Sequence, residues 1–196
     1  HLAEQEKGGV IWDGLKTKPE DAEHYGATKN IANTAMIYHA GKFLALQEGA
    51  HPFELKLPNL DPVGEVDYEG RLKHPFTAHP KIDPRTGELV TYGYNVTSKP
   101  HCSVSLITKE GELIHTTGVD IPKPVMMHDC AITSNHTVIM DLPCVFDFGR
   151  MAEGKSMLYF EEENGSRFGV LARGADGKEI QWFDVDSCYC YHTVNA

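Results

Sequence analysis

Pro122-Lys123-Pro124-Val125-Met126-Met127-His128-Asp129-Cys130-Ala131-Ile132 brings an apolar approach to a histidine and an aspartate and then continues into a strand. Two other histidines share that setting. His79 lies in Phe76-Thr77-Ala78-His79-Pro80 and His192 in Cys188-Tyr189-Cys190-Tyr191-His192, each after small, apolar or aromatic residues rather than a charged run. His128 follows His79 by 49 residues and precedes His192 by 64, the excess falling in a long connection over 148–166. A propeller blade takes about 40 to 50 residues. One histidine per blade, each on an innermost strand, would bring all three to a central axis.

The flanking sequence supports an all-β chain. Asn33–His39 and Lys42–Glu48 are strand-like runs joined by Ala40-Gly41, a two-residue hairpin turn. Phe53–Leu57 alternates as a half-buried strand and is followed by a Pro/Asn/Asp/Gly break through Gly64. Leu89–Tyr94, Val104–Ile107, Leu113–His115, Thr137–Leu142, Phe168–Arg173, Ile180–Phe183 and Cys188–His192 read as further short strands. The run Glu161-Glu162-Glu163 reads as a solvated turn, and Trp182 and Phe183 as core. No 3.6-residue periodicity lasts beyond two turns, and His1 to Asn30 reads as loop or irregular edge. Short strands with frequent turn signals argue for a sandwich, barrel or propeller, and the histidine spacing favours the propeller.

At 196 residues and 41% hydrophobic, the chain can bury a sizeable core. A net charge of −10 speaks against nucleic acid, whose phosphates call for a basic surface. The five cysteines, Cys102, Cys130, Cys144, Cys188 and Cys190, are odd in number and lack paired metal spacing. Free thiols in a reducing compartment are expected, in the cytoplasm or alternatively a plastid. No apolar run is long enough to span a bilayer. The sequons at Asn95, Asn135 and Asn164 read as chance matches. The chain opens on His1-Leu2-Ala3 without a methionine and stops shortly after His192, so an internal fragment of a longer protein is expected.

Imidazole suits iron, copper, nickel or zinc, and a ligating ring needs its other nitrogen held by an acceptor. Glu48 closes the apolar run Leu44-Ala45-Leu46-Gln47 and is the leading candidate acceptor, since a carboxylate there is costly to bury without a donor. An exposed strand-end glutamate is the plainer alternative. Taken singly, each of the three histidines is more simply a packed core residue; their common setting and spacing favour one metal site. The other eight of the eleven histidines sit beside turns or on alternating strands and read as non-ligands, His74 being closest to His79 in sequence.

At these residues the sequence resembles the carotenoid cleavage dioxygenase family, nearest its plant- and algal-type apocarotenoid-forming members. The resemblance runs from about Asn33 to Ala196 and is carried by several blocks. These are Asn33-Thr34-Ala35 with Leu44–Glu48, Phe76–Pro84, Pro124–Asp129 with Met140–Pro143, Arg167–Leu171, and Tyr191-His192-x-x-Asn195-Ala196. It implies a seven-bladed β-propeller, of which residues 1–196 would be an internal part of about three to four blades. It implies a non-haem Fe(II) held by four histidines and no carboxylate. His79, His128 and His192 match the first three, and the fourth would lie beyond Ala196. Glu48 matches a glutamate that orients one ligand, His128, and Thr34 a position crowding an open coordination site.

The implied reaction is scission of one conjugated C=C bond of a carotenoid or apocarotenoid polyene by O2, giving two carbonyl products with no protein nucleophile. Peripheral membrane contact is implied for the full-length protein. A stilbene-cleaving dioxygenase or retinoid isomerohydrolase of the same family is an alternative reading. So, from another class, is a non-enzymatic propeller binding module or an inactive partial gene product. The isolated chain is expected to be inactive, because three histidines without the fourth should hold iron weakly.

Overall fold

Ala40 and Gly41 take φ of 50° and 78°, the left-handed pair that a tight hairpin turn requires. In this computed structural model, which describes residues 30–194, they join β1 (Ala35–His39) to β2 (Lys42–Leu46). The expected hairpin is therefore present; the stretch from His1 to residue 29 lies outside the described residues. The sheet continues through β3 (Phe53–Lys56) to β4 (Asp61–Glu65), in the order β1-β2-β3-β4. β4 corrects the sequence reading, which has only a break there. Pro62 is tolerated because β4 is an edge strand, and it pairs with Leu55 beside the register irregularity at Glu54/Leu55.

The second sheet is the meander β5 (Lys81–Ile82), β6 (Leu89–Tyr94), β7 (Cys102–Ile107) and β8 (Leu113–Val119). The third contains β9 (Ala131–Ile132), β10 (His136–Asp141), β13 (Ser166–Ala172) and β14 (Gln181–Val185), in the order β14-β13-β10-β9. A separate hairpin of β11 (Cys144–Phe146) and β12 (Leu158–Phe160) is inserted between β10 and β13. The span 148–166 is thus more than a connection: it holds β12, the four-residue helix α1 (Gly149–Ala152) and a 3-10 turn at Glu162–Asn164. Every pairing is antiparallel. No described helix is long and apolar enough to cross a membrane.

The middle sheet is covered on both faces, as the unbroken burial of Leu89 to Gly93 requires. One core joins it to the first sheet through Leu44, Leu46, Phe76, Leu89 and Ile107. The other joins it to the third through Val90, Tyr92, Val104, Val119, Ile139 and Leu171. Sheets stacked face to face in chain order match the blade arrangement that the resemblance implies. Polar ties reinforce the stack, Arg173 of the third sheet's outgoing turn reaching Asp83 after β5 at 2.7 Å. The outer faces are less covered, and Phe183, read as core, is half exposed while Trp182 packs against the second core.

Candidate metal centre

The three histidines meet, though on loop segments and not on strands. His79 lies just before β5, His128 just before β9, and His192 beyond β14. The Cys188–His192 run forms no strand, which also corrects the expectation that each histidine would sit on an innermost strand. Such backbone leaves its polar groups without a ladder, and side chains take them up instead. The Tyr92 hydroxyl donates to the Met127 carbonyl at 2.8 Å and the Tyr189 hydroxyl to the Met126 carbonyl at 3.3 Å. The amide of His79 donates to Thr77 Oγ1 at 3.0 Å.

One ring nitrogen from each histidine lies within 4.8 Å of the others, and among the described residues no cysteine or carboxylate shares the group. His79 Nε2 and His128 Nε2 are 3.1 Å apart, and the His192 ring stands edge-on to both, with centroids 4.8 and 4.9 Å away. Two imidazoles bound at right angles to one metal at about 2.1 Å would place their nitrogens about 3.0 Å apart. The all-imidazole donor set and the His79–His128 spacing therefore fit a single transition-metal ion. Burial, then the neighbouring His128, pushes the His79 imidazole below its ordinary pKa and keeps it neutral, as a ligand must be.

Glu48 stands behind His128. Its Oε1 faces His128 Nδ1, and both atoms are shielded from solvent with no other partner among the described residues. A carboxylate there fixes Nδ1 as the protonated nitrogen and leaves Nε2 free to ligate. Glu48 Oε2 accepts from the Tyr94 hydroxyl at 2.7 Å. Burial, and next the Glu48 charge, push the Tyr94 phenol far above its usual range, so it remains a donor.

Asp129, quoted in the sequence but given no role there, is 2% exposed and ion-paired to Lys81 at 2.7 Å. Burial alone would raise its carboxyl; Lys81 and the amides of Thr193 and Cys130 more than offset this and hold it below the usual value. Tyr94, Asp129, Lys81 and Thr193 are site residues that sequence reasoning missed. The usable signal was the one applied to Glu48, a carboxylate embedded in an apolar run.

Thr34 is exposed and gives its amide to the Leu46 carbonyl at 2.9 Å. No hydrogen bond joins it to the three rings among the described residues. The remaining described histidines stand outside the group of three. His74, nearest in sequence, has Nδ1 on the Pro75 carbonyl and Nε2 on Ser105 Oγ, each at 2.7 Å. His39, His101 and His115 each place one ring nitrogen on a backbone carbonyl, of Gly87, Asn95 and Ala175. The five cysteines are free thiols.

The family described as retinal pigment epithelial membrane protein matches residues 1–196. The carotenoid 9,10(9',10')-cleavage dioxygenase 1 of Pisum sativum is 44% identical over 84% of this chain and 31% of its own length. That of Arabidopsis thaliana is 44% identical over 93% of this chain and 34% of its own. The crystal structure of Pseudomonas brassicacearum lignostilbene dioxygenase superposes with a TM-score of 0.76 at 31% identity, covering 93% of this chain and 39% of that one. The chain thus spans about a third of the length of the curated relatives it matches. With three stacked antiparallel sheets, a convergent histidine trio and a match along its whole length, the chain belongs to the retinal pigment epithelial membrane protein family, the carotenoid oxygenases.

Proposed function

We propose that this chain carries three of the ligands of a non-haem Fe(II) centre in a carotenoid cleavage dioxygenase. The observation that carries this reading is the convergence of His79, His128 and His192, with Glu48 behind His128. Three neutral imidazoles, with no carboxylate among them, leave a bound divalent ion its full charge. Iron bound there would supply the activation of O2 for oxidative cleavage of a conjugated C=C bond to two carbonyls. The chain's own contribution is orientation. Glu48 holds the His128 tautomer, Tyr94 holds Glu48, and the Tyr92 and Tyr189 hydroxyls pin the Met126-Met127 backbone that presents the ring.

A carotenoid or apocarotenoid is the favoured substrate class, supported by 44% identity to proteins named for 9,10(9',10') cleavage. A second reading, cleavage of a stilbene, draws on the likeness to lignostilbene dioxygenase. The full-length protein carrying these residues, supplied with Fe(II), O2 and a panel of carotenoids, apocarotenoids and stilbenes, separates them by the carbonyl products formed. Carotenoid-derived aldehydes or ketones are expected. Products from stilbenes alone would favour the second reading, and cleavage surviving His128→Ala would overturn both.

A further inference from the structure

We infer that Asp129 is a positioning residue for the metal centre, holding the His192 segment against the His79 and His128 segments; this rests on reading those histidines as ligands. Its carboxylate receives donors from all three. Lys81, two residues after His79, reaches Oδ1 at 2.7 Å, and the Cys130 amide donates to the same oxygen at 2.8 Å. Oδ2 accepts the Thr193 amide at 2.9 Å and lies 3.1 Å from the Thr193 hydroxyl, which is also 3.2 Å from the Cys130 carbonyl. Asp129 itself follows His128, and Thr193 follows His192.

The segment most in need of this tie is the one bearing His192. Its backbone belongs to no sheet and comes after the last described strand, β14. Farther back it is fastened by the Cys188 amide on Ser166 Oγ and the Tyr189 hydroxyl on the Met126 carbonyl. Thr193 is the fastening next to the ring itself. Asp129 Oδ2 stands 3.9 Å from His192 Nδ1, beyond hydrogen-bonding distance, so the carboxylate acts on the ring through the Thr193 backbone. A carboxylate with 2% exposure and donors on both oxygens is a rigid anchor, and losing it frees the segment next to the His192 ring.

The test is a Co(II) titration of the full-length protein carrying these residues, read by the visible d–d bands, in wild type, Asp129→Asn, His192→Ala and the double variant, with far-UV circular dichroism of each metal-free form. Asp129→Asn is expected to weaken Co(II) binding at least about tenfold and to shift its bands towards those of His192→Ala. Little further loss is expected when it is added to His192→Ala, because both changes remove the same ligand. Wild-type affinity and bands in Asp129→Asn would overturn the inference while leaving the metal site standing. An equal loss in the His192→Ala background would also overturn it, assigning Asp129 a general structural role. A wild-type full-length protein that binds no Co(II) would sink the metal reading and this inference with it. Should Asp129→Asn fail to fold, Thr193→Val is the readout: binding about threefold weaker is expected from one lost hydroxyl contact, and unchanged binding would overturn the inference.

Discussion

Glu48 shows how much one side chain carries. Its two oxygens serve different neighbours, Oε1 facing His128 and Oε2 accepting from Tyr94. Glu48→Gln keeps the shape and removes the charge that favours a protonated Nδ1. Metal affinity is expected to fall by about 10- to 100-fold with the strand framework intact, as a Co(II) titration beside circular dichroism would register. Tyr94→Phe should act in the same direction and more weakly, since it removes one hydrogen bond and leaves the carboxylate. Glu48 was legible in the sequence because an acid closing an apolar run needs a donor. Tyr94 was not: it lies 46 residues from Glu48, and only the stacking of two sheets brings them together. His74 marks the opposite limit. It lies five residues before His79, but Ser105 and the Pro75 carbonyl take both its nitrogens.

Strands with clear alternation or a paired turn were readable, as β1, β2, β6 and β13 illustrate. The elements missed are those whose existence depends on a neighbour. β4 contains proline and glycine and forms because β3 offers an edge, while β12 forms because β11 does. The histidine-bearing segments erred the other way. They look like strands by composition, yet their backbone polar groups are taken by tyrosine hydroxyls and a threonine, leaving them free to turn their histidines inward. β6 owes its position to a close approach that the sequence marks only as a glycine. A Cβ on Gly93 would lie 1.7 Å from the Pro75 carbonyl oxygen and 2.7 Å from His74 Nδ1. Gly93→Ala is therefore expected to destabilise the fold by about 3 kcal/mol or more, measured by chemical denaturation. An unchanged midpoint would mean that β6 and the Pro75 segment are not packed as described.

The described molecule is a stack of sheets whose middle member is buried on both sides, and the three histidine rings meet on segments outside the strands. The all-β class and the stacking were foreseeable from strand spacing. The pairing of distant charges between sheets was not. Asp83 links to Arg173 from the third sheet and to Arg85 nearby. The Arg85 side chain and amide, followed by Arg173, hold the Asp83 carboxyl well below the usual carboxylate range. A carboxyl with a lower pKa folded than unfolded stabilises the fold fully above its unfolded value, about 3.9, and loses that contribution as pH falls below it. Asp83→Asn should thus lower the thermal midpoint near neutral pH, and the gap from wild type should narrow as pH drops below about 4. A gap that stays constant across that range would remove Asp83 as its source.

The convergence of three histidines on one metal is tested most directly by anaerobic Fe(II) titration of the full-length protein carrying these residues, beside His128→Ala. Wild type is expected to take up a single iron per chain, and His128→Ala to lose that uptake while retaining its β-sheet spectrum. Equal iron binding by the two proteins would contradict the account.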